Sequence, residues 1–148
     1  MDPLDTPTPT WEVNRNEVRW EPPDLVRVTL RGVTTKADSL RMKAIYDEIS
    51  ERGGPFYALV DGTQLESLEP TARTSWTKQE DKPYPIRHAV AFGASFAMRT
   101  LVMTLYRAAR ILAPSRFPFP VEFVATEPEA RARIDELRRA ARTSVPPR

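Results

Sequence analysis

The 148-residue sequence contains no cysteine and a single histidine, His88. Without cysteine there are no disulfide bonds, no thiol chemistry and no thiolate metal ligands. With only one histidine as well, we expect no dedicated transition-metal site and no cofactor. Acidic residues are missing from a long interval, because no Asp or Glu lies between Lys82 and Glu122. Long apolar runs are also missing, since arginines interrupt the longest candidate, and no transmembrane segment is predicted.

What the chain does contain is typical of a globular protein, with 41% hydrophobic and 28% charged residues. Its net charge of +2 is too small to indicate nucleic-acid binding. Residues 1–10 are rich in Pro and Thr and predict a disordered leader, residues 11–142 predict one domain with a real core, and residues 143–148 predict a disordered tail. The acidic N-terminus is unlike a signal peptide, so we expect a cytoplasmic protein.

The stretch Phe56–Asp61 predicts the central strand of the fold. It is a short apolar run preceded by Gly53-Gly54-Pro55 and followed by Gly62, which is typical of a strand buried on both faces. Residues 62–69 are predicted to form a loop. Periodicity and turn signals around this strand predict the order β-β-α-β-α-β-α-β-α. This is an α/β fold with a mixed, mostly parallel sheet and an N-terminal antiparallel hairpin along one edge.

Two helices carry much of the predicted core. The first is capped by Thr34 or Thr35 and buries one apolar face. The third runs from Ser95 to Leu112 and has a wider apolar arc than one face of a sheet requires. That width indicates either deep burial or a surface for a partner, a second copy of the chain or an apolar ligand. The residues predicted to face inward on the first helix are Ala37, Leu40, Ala44, Ile45 and Ile49.

Element order and short apolar patterns at several places match a known family. These segments are Leu25–Gly32, Ala58–Asp61, Gly93–Ser95, and Phe123–Thr126 with the following Glu129-Ala130. In them the chain resembles the STAS family, the anti-sigma-factor antagonists and their SpoIIAA-like relatives. The resemblance implies a SpoIIAA-like (STAS) fold and a non-enzymatic protein-interaction module in bacterial regulation.

One departure from the STAS pattern concerns its regulatory phosphate. The antagonists carry a phosphorylated serine in an Asp-Ser-Ser-Gly turn at the start of the second helix. The corresponding residues here are Glu69-Pro70-Thr71-Ala72. Thr71 is therefore the candidate phosphate acceptor, with Ser67 nearby, and the kinase-regulated partner switch of the family is not implied by this motif.

Candidate binding residues lie at predicted carboxyl ends of strands, where α/β proteins place ligands and partners. Asp61, beside Thr63, is interpreted either as the anchor of a recognition loop or as an acceptor for loop amides. Arg73 is a candidate partner of that carboxylate, of Glu69 or of a bound anion. Ser95, with Arg99 one turn later, is interpreted either as part of an anion site at a helix N-terminus or as a plain N-cap.

Other candidate residues are those for contact with another protein or with a second copy of the chain. Met103 and Tyr106 on the third helix suit an adaptable contact surface. The acidic interval 61–69 and the basic interval 87–116 predict a complementary contact between two copies.

No nucleophile–base pair, paired carboxylates or phosphate loop is apparent, so neither catalytic residues nor enzymatic activity are predicted. His88 is interpreted as a strand-entry residue, and the arginine-rich last helix as a solvated face that does not bind nucleic acid.

Two classes of function therefore remain open. The first is the STAS-like interaction module, which binds another protein or a second copy of itself. The second is a carrier or sensor of a small apolar or lipid-like ligand, because some SpoIIAA-like domains are grouped with the CRAL-TRIO lipid-binding fold. A deep apolar cavity between the long helix and the sheet favours the carrier, whereas a filled core with an exposed apolar patch favours the interaction module.

Overall fold

The computed structural model describes residues 8–77, 83–114 and 119–143, with only the backbone for residues 74–77. Within these ranges the chain forms six strands and four helices. The strands are β1 (Thr10–Val13), β2 (Asn16–Glu21), β3 (Leu25–Thr34), β4 (Phe56–Leu68), β5 (Ile86–Phe92) and β6 (Val121–Val124). The helices are α1 (Lys36–Gly53), α2 (Pro70–Thr77), α3 (Phe96–Leu112) and α4 (Glu127–Thr143).

The six strands form one sheet in which they lie side by side in chain order. Strands β1, β2 and β3 pair antiparallel, and the pairs β3–β4, β4–β5 and β5–β6 are parallel. Each parallel pair is connected through a helix, as a parallel connection requires. The predicted α/β class and mixed sheet are confirmed, with the antiparallel strands along one edge.

Strand β1 was not predicted, so the observed order has one more strand than the expected order. β1 and β2 are joined by a tight turn in which Val13 pairs with Asn16. Asn14 occupies the left-handed region at φ 59°, which asparagine tolerates better than most residues. Because neither Gly nor Pro marks this turn, the sequence shows no break there. β1 begins at Thr10 and α4 ends at Thr143, and residues 1–7 and 144–148 of the predicted leader and tail lie outside the described residues.

The predicted loop over residues 62–69 is wrong, because β4 continues as a strand to Leu68. Its second half pairs with residues 31–34 of β3. The register shifts twice along this pairing, and such irregularities interrupt the two-residue alternation of a regular strand. Gly62, Leu65 and Leu68 therefore recur every third residue on the same side of the sheet, a spacing that does not indicate a strand.

Helix α1 begins with a capping box, in which the Asp38 N–H donates to Thr35 Oγ1 and the Thr35 N–H donates to Asp38 Oδ2, both at 3.1 Å. Its buried face contains Ile45 and Ile49, as predicted, together with Met42. The prediction was wrong for Ala37, Leu40 and Ala44, which are exposed. The apolar stripe is rotated toward Met42 because the helix packs through that side against the sheet.

The core has two halves, one on each face of the sheet. On one face, α1 and α3 cover residues that include Val28, Phe56 and Ala58. On the other face, Ala130 and Ile134 of α4 cover residues of strands β3, β4 and β5. The predicted two-sided burial of Phe56–Asp61 is confirmed, because Phe56 and Leu59 point to opposite faces and both are fully buried. Helix α2 packs against α1 and α3.

We expect Leu59→Ala to lower the free energy of unfolding by about 2 to 5 kcal/mol, because it leaves a cavity between β4 and α4. The matched control is Leu40→Ala, since Leu40 is 47% exposed and its substitution should change stability by about 0.5 kcal/mol or less. Urea denaturation followed by circular dichroism measures both. Equal effects of the two substitutions would contradict the two-sided burial of β4.

Candidate functional site

An apolar cavity of about 180 Å³ lies between the sheet and helices α1 and α3. Strands β3 to β6 form its floor, and Met42, Met98 and Val102 are among the helix residues that form its roof. The apolar lining side chains from the strands are Val28, Leu30, Ala58, Val60, Leu65, Leu68, Ile86, Ala89, Ala91, Val121 and Phe123. Its walls are almost entirely hydrocarbon, so the cavity suits an apolar molecule.

Small residues on two neighbouring strands explain why the space remains open. Ala58 of β4 pairs with Ala89 of β5, and Val60 pairs with Ala91. All four side chains line the cavity. A methyl group fills much less of the space beneath a helix than the Val, Ile or Leu side chains that dominate two-sided strands. The depth of the cavity under α3 therefore follows from this group of alanines.

Hydroxyl groups in the wall add a polar element. Burial raises the pKa of Tyr46 well above its ordinary value of 10.0, and the neighbouring Tyr84 raises it further. The Tyr46 hydroxyl therefore stays protonated, and it makes no hydrogen bond to the described residues. Thr34 also lines the cavity, and its Oγ1 is buried without a partner in the described part of the chain. The cavity thus offers a hydrogen-bond donor beside its apolar surface.

Met103 and Tyr106, which were predicted for a contact surface, lie in this core. Tyr106 is only 7% exposed and lines the cavity. Its hydroxyl donates to the Phe119 carbonyl and accepts from Arg110 Nη1 at 3.0 Å. Met103 is half-buried and packs against the same cluster. Tyr106 therefore contributes to the cavity wall, whereas Met103 keeps a partly exposed side chain on α3.

Asp61 and Thr63 lie together at the carboxyl end of the sheet, on the face opposite the cavity. The Thr63 N–H and Oγ1 donate to Asp61 Oδ1 at 3.0 and 2.6 Å. The other oxygen accepts from Arg27 Nη2 at 3.2 Å. Asp61 therefore accepts a hydrogen bond from a nearby backbone amide, as one of the two interpretations expected, and also forms an ion pair with Arg27. The predicted pairing with Arg73 does not form, since Arg73 Nε donates to the Leu68 carbonyl at 2.7 Å.

Ser95 is the N-cap of α3, and its side chain accepts from the Met98 N–H at 3.1 Å. Arg99 lies over the Phe96 ring at 5.9 Å, so its guanidinium is directed along the helix surface. The segment that precedes Ser95 contacts the Asp61–Thr63 pair, because a Cβ at Gly93 would overlap the Thr63 side chain. The structure therefore brings these two groups of candidates to one edge of the sheet.

The two candidate phosphate acceptors lie at the end of β4 and at the start of α2. Thr71 is exposed at the start of α2, and its hydroxyl donates to the carboxylate of Glu69. Ser67 is half-buried within β4, opposite Val33 of β3, and is not part of a loop as predicted. Of the two, only Thr71 has the exposure that a modifying enzyme requires.

Ion pairs between α4 and the strands were missed by the sequence analysis, which had interpreted this helix face as solvated. Arg27 Nη2 donates to Glu127 Oε1 at 2.8 Å, and Arg131 binds both Glu127 and Glu21. A signal was present, because Arg27 lies between Val26 and Val28 in a strand with two covered faces. A charged side chain at such a position requires a carboxylate partner.

Farther along α4, two arginines bind acidic residues at β6 and just before β3. Arg133 Nε contacts Glu122 Oε2 at 3.0 Å, and the same carboxylate binds His88. His88 therefore has an acidic partner that its sequence neighbours did not suggest. Arg138 Nη2 contacts Asp24 Oδ1 at 2.7 Å. These contacts align α4 on the sheet and leave the cavity on the opposite face untouched.

Comparisons with known proteins leave function to be inferred from this geometry. The chain matches no protein-family model and no curated protein. Within the described residues, no helix is long and apolar enough to cross a membrane. In the same residues, no three His, Asp or Glu side chains are grouped so that they could hold a metal ion. The apolar cavity is the feature that most specifically indicates binding.

The Arg27–Glu127 contact predicts a pH dependence of stability. Hydrogen bonds from Arg27, and secondarily from Arg131, lower the pKa of Glu127 from 4.5 to about 2. A carboxylate with a lowered pKa stabilises the fold above its unfolded-state pKa, and this contribution is lost as the pH falls toward about 2. We therefore expect Glu127→Gln to be less stable than wild type at pH 7 and the difference to shrink between pH 4.5 and 2.

Urea midpoints of both proteins at several pH values across this interval measure the effect. The control is Glu48→Gln, because Glu48 is exposed on α1 and its substitution should change the midpoint equally little at every pH. A stability difference between Glu127→Gln and wild type that is constant with pH would contradict the assigned role of Arg27.

Proposed function

We propose that this protein is a non-enzymatic carrier or sensor of a small apolar ligand, which binds in the cavity between the sheet and helix α3. The single observation that supports this function is the cavity itself, whose walls are hydrocarbon in a region that small proteins normally fill. A ligand gains about 25 cal/mol for each Å² of apolar surface that it removes from water. The binding energy therefore comes mainly from contact with the alanine, valine and methionine side chains.

The size of the cavity limits the ligand class. An engineered apolar cavity of roughly 150 Å³ binds benzene, and the cavity here has a volume of about 180 Å³. A ligand with one aromatic ring, two small fused rings such as those of indole, or a short branched alkyl chain matches this volume. One hydrogen-bond acceptor on the ligand would pair with the Tyr46 hydroxyl, which has no partner in the described part of the chain. A whole phospholipid exceeds this space.

The SpoIIAA-like resemblance is consistent with this proposal. From β2 onward the order of elements is the predicted one, and α1 and α3 lie on one face of the sheet with α4 on the other. We therefore extend the proposal to a SpoIIAA-like fold in a cytoplasmic bacterial protein. Of the two functions that the resemblance implies, ligand carriage is the one that uses the cavity.

Filling the cavity tests this function. We expect Ala89→Leu to abolish binding of indole, because the larger side chain fills part of the cavity that Ala89 lines, while the protein stays folded. The matched control is Ala44→Leu, in which the same substitution is made at an exposed position of α1. Calorimetric titration with indole gives the affinities, and native mass spectrometry of the purified protein shows any ligand retained from the cell.

Equal indole affinity in the two variants would contradict the cavity as the binding site. Failure of wild type to bind indole, together with an unoccupied mass for the protein as purified, would contradict the carrier function as a whole. Thermal unfolding of each variant confirms that the comparison is made between folded proteins.

A second candidate function is the protein-interaction module, which a separate observation favours. Phe96, Ile111 and Leu112 of α3 are 76%, 79% and 58% exposed. Arg99 and Arg107 are exposed on the same helix, which has no acidic residue. Exposed apolar side chains beside charges of one sign are typical of contact surfaces. A second copy of the chain would supply the opposite charge through Glu66 of β4 and the following Glu69, which belong to the acidic interval.

Sedimentation velocity tests this self-association. We expect a dimer at high protein concentration and low salt that dissociates as salt is raised, because screening weakens exposed charge pairs. Ile111→Ser should shift the equilibrium toward the monomer, whereas Leu40→Ser, at another exposed leucine, should not. A monomer at all concentrations and salt conditions would contradict self-association through α3.

A further inference from the structure

We propose that the protein has a second binding site, for a phosphate group, between the C-terminal part of α4 and the beginnings of β4 and β5. The site is a pocket of about 220 Å³ lined by Tyr57, Arg87, Arg138 and Arg142, with Asp24 as its one acidic residue. It is separate from the apolar cavity, because Tyr57 belongs to the half of the core covered by α4.

The charge of this pocket is positive because its single carboxylate is already neutralised. Arg138 binds Asp24 through two hydrogen bonds of 2.7 and 3.1 Å, and Asp135 at 2.9 Å. Arg87 Nε donates only to the Pro55 carbonyl, at 3.4 Å. Among the described residues, neither Arg87 nor Arg142 has a carboxylate partner. The pocket therefore has two guanidinium groups whose charge is not balanced within it.

An irregularity in the sheet places Arg87 at this position. Phe56 pairs with Ile86, but the next residue of β4, Tyr57, pairs with His88, so Arg87 is the extra residue of a bulge. Bulges redirect side chains that a regular strand would point to the other face. Ile86 and His88 each pair with a residue of β4. The unpaired position between them is Arg87, which lines the pocket.

Tyr57 contributes a neutral donor. Its residue is only 6% exposed, and the guanidinium of Arg138 lies over its ring at 5.9 Å. The Tyr57 hydroxyl makes no hydrogen bond to any described residue. This hydroxyl is therefore free to donate a hydrogen bond to a group bound in the pocket. The pocket thus combines one such donor with two planar guanidinium groups.

This combination is the chemistry that recognises phosphate. Guanidinium groups bind two phosphate oxygens at once, and charge-assisted hydrogen bonds of this kind are about twice as strong as neutral ones. A phosphate monoester dianion balances the two unpaired arginines and leaves an oxygen for the Tyr57 hydroxyl. The same chemistry occurs in free phosphate, in small phosphate esters and in the headgroup of an acidic phospholipid.

The experiment measures binding of inorganic phosphate to the full chain at pH 7.5 and low chloride, by NMR chemical-shift titration. We expect saturable binding that Arg87→Gln and Arg142→Gln each weaken about tenfold, since each loses a charge-assisted contact. Tyr57→Phe should weaken it less. The matched control is Arg139→Gln, because Arg139 is exposed on α4 outside the pocket. The phosphate affinity of this variant should equal that of wild type.

Two further arms separate the sources of the phosphate group. Phenyl phosphate represents small esters, and sedimentation with phosphatidylcholine vesicles containing phosphatidic acid represents a headgroup. Binding in either arm that is lost in Arg87→Gln supports the site and identifies its source. Absence of saturable phosphate binding, or equal weakening in Arg139→Gln and the pocket variants, overturns the proposal. Ala89→Leu should leave phosphate affinity unchanged, so failure of the cavity function does not affect this test.

Discussion

The burial of β4 on both faces is the constraint on which the rest of this structure depends. Phe56 and Leu59 point in opposite directions, and each is fully covered by helices. A strand segment that is buried on both sides requires helices in both layers. Helices α1, α2 and α3 connect the parallel strands β3 to β6, and α4, which follows β6, covers the opposite face. The carboxyl end of this buried segment carries the Asp61–Thr63 pair, and its amino end, together with the start of β5, lines the arginine pocket.

The two faces of the sheet are held by different interactions, and this difference relates to function. On the α4 face, large side chains such as Tyr57 and Val90 fill the space, and arginines of the helix bind carboxylates at the strands. On the other face, Ala58 and Ala89 leave a cavity beneath α3. The apolar contacts and ion pairs of α4 are thus on one face of the sheet, and the open volume is on the other.

The sequence predicted the elements better than their boundaries or their contacts. Apolar runs with clear punctuation, such as Phe56–Asp61 before Gly62, were predicted correctly. Strand β1 was missed because Asn14 turns the chain without Gly or Pro, and residues 62–68 were missed because register shifts hide the strand period. At the site, Asp61 and Thr63 do form a pair, but the partner of Asp61 is Arg27, which is 34 residues away in the chain.

The sequence alone determined the α/β class, the central strand, the N-caps of α1 and α3, and the exclusion of thiol chemistry. These properties depend on residue type and on neighbours within a few positions, which periodicity and capping rules describe. The tertiary structure alone decided where the alanines of β4 and β5 meet, which carboxylate each arginine binds, and that Tyr106 is buried. Such features arise between residues that are far apart in the chain. Cavity volume and ion pairing depend on how whole helices and strands pack together, and local sequence patterns do not describe that packing.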